Sequence, residues 1–261
     1  VLIEKPFAIS MAECHRLVAL AETRDRQLMV GQSQRYFPGY KELKQRIDTG
    51  SLGQIHHART DAIYNLREYA EPPHWFYERD KAGGGSIINV GTHKIDLLRY
   101  FLGDAVRVTA YGKTTAPEFG DTENYSVALV EFENGAIADL LMAHSAPRAP
   151  YNEMFWLFGE DGVAHCLPDE GEMREVIPRV GNERQEFQDI DLTVDLPSDD
   201  PFINEIFHFA DCIETGSEPT SSGRDNLKTM AIVFALYRSL NMDGKSIDVD
   251  EVYREGKNDE V

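Results

Sequence analysis

The sequence predicts an α/β fold in which a short parallel segment leads into a largely antiparallel sheet. Three observations carry that reading. The first forty residues run strand, helix, strand, the rhythm of a parallel α/β unit. From Ala105 to about Val194, short apolar segments alternate with tight turns, as in antiparallel sheets. Two amphipathic helices then close the chain.

In chain order, Val1, Leu2 and Ile3 read as a buried strand that ends at Glu4, Lys5 and Pro6. Residues 10–25 read as a helix. Ser10 and Glu13 have capping-box spacing, and Met11, Cys14, Leu17, Val18 and Ala21 share one face. "QLMVGQS" follows as a short buried strand. "YKELKQRIDTGSLG" is a helix closed by glycines, and "QIHHARTDAIYN" alternates as a long strand. A polar loop, "LREYAEPPHWFYERDKA", precedes three glycines and an apolar helix over roughly residues 86–102. The strands that follow are "RVTAYGKTT", "ENYSVALVEFENGAIADLLMAHS", "EMFWLFGEDGVAHCL" and "EMREVIPRV". Asn134-Gly135 is a hairpin signal because both residues tolerate positive φ. Gly159 to Gly162 marks a second turn. Phe202, Ile203, Ile206, Phe209, Ala210 and Ile213 form the stripe of the first closing helix. The second starts near Ser222 and runs through Leu227, Met230, Ala231, Phe234 and Ala235. The tail "EGKNDEV" is expected to fray.

Composition narrows the function classes. With 261 residues, 42% of them hydrophobic, the chain can bury one large core or two small ones. Its apolar runs are short and interrupted, so no segment is expected to span a bilayer. A formal charge of −19 repels phosphate backbones and disfavours a nucleic-acid partner. Three widely spaced cysteines (Cys14, Cys166 and Cys212) predict neither a disulfide framework nor a zinc site, and suit a reducing cytoplasm.

Chemistry concentrates in "AGGGSIINVGTHKIDLLRYFLGD", where Asn89, His93 and Asp96 recur at helical offsets of four and three. Polar groups on an apolar helix need partners or a cleft. His93 therefore reads either as a proton carrier or as a hydrogen-bonded core histidine. The three glycines are no phosphate fingerprint, since no strand precedes them and no third glycine completes G-x-G-x-x-G. Lys5 has two readings as well. It is a fixed cation at the carboxyl end of a parallel strand, where α/β sheets bind ligands, or a surface charge beside a turn. Trp75 reads as pocket lining or as core, and Tyr151 as a substrate contact from the far sheet. His56 and His57, adjacent in a strand, point to opposite faces and argue against a shared metal.

"EKPFA", "VGQSQRYFPGYKELKQRIDTGSLGQI", "GGGSIINVGTHKIDLLRYFLG", "VALVEFENGAIADL" and "EIFHFADCIETGSEPTSSGRDNLKTMAIVFALYRS" occur in this order over nearly the whole chain. Together they resemble the Gfo/Idh/MocA oxidoreductases. The resemblance implies that residues 1–35 are the tail of a dinucleotide-binding Rossmann domain, most of which would lie before Val1. Residues 36–261 would form the substrate and oligomerisation domain, a large open sheet with helices on one face. It implies NAD or NADP as cofactor, held in part by Glu4, Lys5 and Pro6. It implies a sugar, cyclitol or related diol as substrate, and a homodimer or homotetramer formed through the sheet face. By resemblance, Lys5 binds the substrate hydroxyl and assists proton transfer, with His93 as general acid/base or its partner. Arg35 and Asp96 would contact substrate. Many relatives carry Asp where this chain has Asn89, and Asn hydrogen-bonds but takes no proton at neutral pH. A non-catalytic sugar-binding or regulatory protein of the same fold is the alternative.

Overall fold

The computed structural model describes residues 1–144, 153–169, 172–177, 188–189 and 195–258. The chain runs β1 (Leu2–Glu4), α1 (Met11–Thr23), β2 (Met29–Gly31), α2 (Pro38–Asp48), β3 (Ile55–Ile63), α3 (Arg79–Ala82) and α4 (Gly91–Leu102). Next come β4 (Ala105–Lys113), β5 (Tyr125–Phe132), β6 (Ile137–Ala143), β7 (Phe155–Gly159), β8 (Val163–Asp169), β9 (Glu172–Ile177) and β10 (Gln188–Asp189). It closes with α5 (Pro201–Thr215), α6 (Gly223–Asn241), β11 (Ile247–Asp248) and α7 (Val249–Asn258).

Two sheets result. β1 and β2 pair in parallel, Leu2 opposite Met29 and Glu4 opposite Gly31, with α1 as the crossover. The other nine strands form one sheet in the order β10-β9-β8-β7-β3-β6-β5-β4-β11. Every pairing in it is antiparallel except that of β3 with β6. The expected mostly antiparallel sheet is therefore present, built around one parallel seam.

One face of this sheet carries the core. Ala58, Ala62, Ala110, Ala128 and Ala138 are at most 5% exposed and point toward the helices. Their small side chains let α4 and α6 bring Leu97, Leu98, Met230, Val233 and Leu236 close to the strands, where dense packing adds dispersion to hydrophobic burial. The opposite face is uncovered, with Tyr111, Val127, Leu129 and Ile137 about half exposed. A period of two separates the two faces of each strand.

Local signals locate the ends of several elements. The Ser10 hydroxyl accepts from the Glu13 amide, as the capping spacing predicts. Ser222 caps α6 in the same way through the Asp225 amide. The β5–β6 turn differs from the expected two-residue hairpin. Only Gly135 takes positive φ, and the Asn134 side chain instead accepts from the Ala136 amide. A wider loop with a single left-handed glycine satisfies these amides without placing Asn134 there.

Two helical expectations change. The apolar helix predicted over residues 86–102 starts at Gly91, and the residues before it form turns. The tail expected to fray is helical through Asn258 in α7, where Asp248 accepts from the Glu251 amide and β11 pairs with β4. Arg238 of α6 bonds Glu251 and Glu255 across this packing. The stripe of α5 faces outward: Phe202, Ile206 and Ile213 are more than half exposed. The helix buries Asn204, Glu205 and Cys212 instead.

Candidate active site

The site begins with β1. Parallel pairing with β2 fixes the strand, and Phe7, 2% exposed, anchors the chain just beyond it. Lys5, between them, sits at the carboxyl end of the strand, and its peptide to Pro6 is cis. The Lys5 ammonium donates to the Asn89 carbonyl at 3.3 Å, which links β1 to the glycine-led turn. Burial lowers the Lys5 pKa below its ordinary value, against the opposing fields of Glu4 and Glu153.

The glycine turn is clamped from inside. The Glu123 carboxylate accepts from the amides of Gly85 and Ile87 at 3.1 and 2.9 Å. It also accepts from the Tyr237 hydroxyl at 2.9 Å, and that oxygen in turn accepts from the Gly85 amide. A Cβ on Gly85 would lie 1.7 Å from the Glu123 carbonyl oxygen, so this close approach requires glycine. The clamp sets where Asn89 sits and where α4 starts, and hence where His93 points.

Lys5, Asn89 and His93 meet on one cavity of about 260 Å3, shared with Tyr64, Phe76 and Glu153. The His93 Nδ1 is buried with no hydrogen-bond partner among the described residues. A ligand hydroxyl at this position would remove that desolvation cost. Burial first, and then the Lys5 charge, pushes the His93 pKa well below 6.5, so the imidazole is neutral at pH 7. The Tyr64 hydroxyl lies 3.1 Å from His144 Nε2. Burial, reinforced by Lys5, lowers the His144 pKa to about 3. One neutral imidazole, His93, and a lysine of lowered pKa thus line a single opening, with the second, His144, bonded to Tyr64 of the wall. A larger groove of about 810 Å3, bordered by α1 and α6, holds none of these groups.

Other candidates lie elsewhere. Arg35, expected beside substrate, is 4% exposed and outside the cavity wall, in the turn Ser33–Tyr36. It donates to both oxygens of Asp96 at 2.6 Å and to Asp225 at 2.8 Å. Asp96, expected to contact substrate one turn after His93, is 1% exposed and also accepts from Thr229 on α6. Burial opposes the Arg35 charge, but the two carboxylates outweigh it and hold its pKa above the ordinary value. This network ties α4, α6 and the 33–36 turn together. Trp75 is 46% exposed and packs at a tilt against Phe76, which takes the place on the cavity wall. Glu4 is exposed and Pro6 half-buried; neither lines the cavity. Tyr151 lies outside the described residues. His56 is exposed beside a bulge in β3, while His57 bonds Asp139 at 2.7 Å. Among the described residues no cluster of His, Cys, Asp or Glu suits a metal.

Glu153 and its partner Lys94 are absent from the sequence reading. Lys94, fully buried, donates to Glu153 at 2.8 Å, to Gln34 at 3.1 Å and to Tyr40 at 3.3 Å. Its position had a signal, since it falls among Val90, Leu97, Leu98 and Phe101 on an apolar helix, where a charge demands a partner. Glu153 had none.

A lysine and a histidine meet here on one cavity at the carboxyl end of a parallel strand, two groups able to exchange protons with a bound ligand. Comparison with known proteins finds dehydrogenases among the relatives. The family model described as the GFO/IDH/MocA C-terminal domain matches residues 40–165. D-apiose dehydrogenase of Rhizobium rhizogenes is 26% identical, over 95% of this chain and 72% of that protein. Myo-inositol 2-dehydrogenase of Thermotoga maritima is 24% identical, over 97% of this chain and 73% of that protein. The aldose-aldose oxidoreductase of Caulobacter crescentus, solved with glycerol, superposes with a TM-score of 0.85 at 25% identity, covering 95% of this chain and 71% of that one. The chain resembles the Gfo/Idh/MocA oxidoreductases over most of its length.

Two outcomes are expected from this geometry. Asp96→Asn breaks the buried pair and leaves Arg35 under-compensated, so urea denaturation should show a loss of about 3–5 kcal/mol. Asp225→Asn, at a carboxylate that is 31% exposed, should cost less. The second concerns pH. His144 binds its proton with a pKa of about 3 when folded and 6.5 when free. Its contribution is complete above 6.5 and falls as pH drops toward 3, about 1.4 kcal/mol per unit. His144→Gln should therefore flatten the stability profile between pH 6.5 and 5 by about that slope. Glu205, raised to about 7 by burial, acts in the opposite sense but equally in both proteins.

Proposed function

We propose that this chain carries the substrate-handling part of an NAD(P)-dependent dehydrogenase or reductase acting on a secondary alcohol of a sugar, cyclitol or related diol. The observation that carries this reading is the convergence of Lys5 and His93 on one cavity. The relatives' names point the same way: they are dehydrogenases of D-apiose and of inositols.

The chain's residues divide the work. Lys5 donates to the substrate oxygen, and burial, by lowering its pKa, makes its proton easier to release. Neutral His93 accepts the hydroxyl proton, or passes it onward, through a ring nitrogen. Asn89 orients Lys5 through its carbonyl and takes no proton itself. Phe76 and Tyr64 supply an apolar wall that excludes water. A bound nicotinamide supplies the hydride acceptor. The β1 end fits that part of the cofactor, because Lys5 stands where a parallel sheet presents its ligand crevice. The sequence contains no G-x-G-x-x-G loop, so grip on the pyrophosphate is assigned to no residue of this chain.

In this reading residues 1–35 complete a dinucleotide-binding sheet, and residues 36–261 form the substrate and oligomerisation domain. The outward stripe of α5 supports it, since Phe202, Ile206 and Ile213 are each more than half exposed. We assign the pairing of subunits to the uncovered face of the large sheet. The cytoplasm is the proposed location, in keeping with three buried cysteines that form no disulfide.

Turnover of a polyol panel with NAD+ and NADP+ tests the reading. Lys5→Met and His93→Ala should each lower kcat/KM about 10²–10⁴-fold while circular dichroism stays unchanged. A folded pair of variants with wild-type turnover would refute the assignment. Sedimentation tests the sheet face. Val127→Glu with Leu129→Glu should shift an oligomer toward monomer without loss of thermal stability in the monomeric fold.

A further inference from the structure

We infer that Glu153 is the specificity-determining residue of the cavity, selecting neutral polyhydroxylated rings over rings that bear a carboxylate. The inference rests on the reading above that the cavity takes a polyol, and it names the charge class.

The placement of Glu153 is built rather than incidental. One carboxylate oxygen accepts from Lys94 and from Gln34, both at 2.8 Å, and Lys94 is held further by Gln34 and Tyr40. Both donors are buried, Lys94 completely. The carboxylate is therefore fixed by a supporting shell while its residue lines the same cavity as Lys5 and His93. Its field reaches both of them, raising the pKa of each against burial.

The charge inventory then decides what enters. Among the described lining residues Lys5 is the one cation and Glu153 the one carboxylate. Behind them Lys94 is committed to Glu153, and Glu4 opposes Lys5 from the strand end. Among the described residues two cations thus face two carboxylates, and a further anion finds no uncompensated cation there. Arg35, the guanidinium suited to a carboxylate, is sealed by Asp96 and Asp225. A ring hydroxyl, by contrast, donates a charge-assisted hydrogen bond to a carboxylate already oriented for it. Replacing a CH2OH group by COO− turns that attraction into like-charge repulsion in a partly desolvated site.

The test compares matched neutral and acidic sugars on the 261-residue chain by ligand-observed NMR titration at pH 8. The probes are D-galactose against D-galacturonate and D-glucose against D-glucuronate. Wild type should bind the neutral member of the better-binding pair at least tenfold more tightly. Glu153→Gln should cut that ratio about tenfold. Where this variant fails to fold because Lys94 is left unpaired, Lys94→Met/Glu153→Gln removes both charges, and the ratio should again approach unity. A folded variant of either kind that keeps the wild-type ratio overturns the inference, as does a wild type without preference. If Lys5→Met abolishes binding of both members while folded Glu153 variants still discriminate, the polyol site stands and the role of Glu153 falls. A wild type that binds neither member of either pair overturns both readings.

Discussion

The arrangement of this protein depends on a buried carboxylate holding a glycine turn. Glu123 gathers two backbone amides of the turn and a phenol from α6 at one point, where water is excluded. Burial raises its pKa, and the hydrogen bonds to its charged form work against that rise. Left without donors the same group would cost several kcal/mol, so turn and carboxylate are mutually obligatory. The clamp joins the strand that begins at Tyr125, the turn and α6. From that junction α4 departs at a fixed angle, and with it the imidazole that faces Lys5.

A second constraint is the sorting of charge. Buried cations and carboxylates fall into two groups with different consequences. Arg35, Asp96 and Asp225 close on one another and hold helices together, turned away from the cavity. Lys94 and Glu153 also pair, but Glu153 stands on the cavity wall with Lys94 behind it, and the Glu153 field acts on Lys5 and His93. The first group gives rigidity. The second works against burial in the protonation of Lys5 and His93. Similar residues acquire different roles according to which side of α4 they occupy.

Much of this was legible in residue order. The strand–helix–strand opening, the caps at Ser10 and Ser222, and the alternating strands from Ala105 follow from local physics, because capping and pleat periodicity act over a few residues. Lys5 and His93 could be singled out since each breaks a local pattern, one by ending a strand before proline, the other by interrupting an apolar helix. The start of α4 at Gly91 was less visible. The helical pattern continues through residues 86–90, yet the Ile87 amide is claimed by the Glu123 carboxylate and the Ser86 amide by the Glu123 carbonyl, more than thirty positions away. The helix α7 was hidden for a similar reason, since its partners lie on α1 and α6.

The sequence by itself determined which segments form strands and helices, and which side chains had reason to leave the core. Periodicity and propensity are short-ranged, and they are written in neighbouring residues. Only the tertiary structure decided that Arg35 and Asp96 satisfy each other, that Phe76 rather than Trp75 meets the cavity, and that Glu153 stands beside Lys5. Electrostatic partnership depends on distance in space. Two charges separated by fifty or a hundred positions leave no periodic trace, and folding alone brings them into one low-dielectric environment.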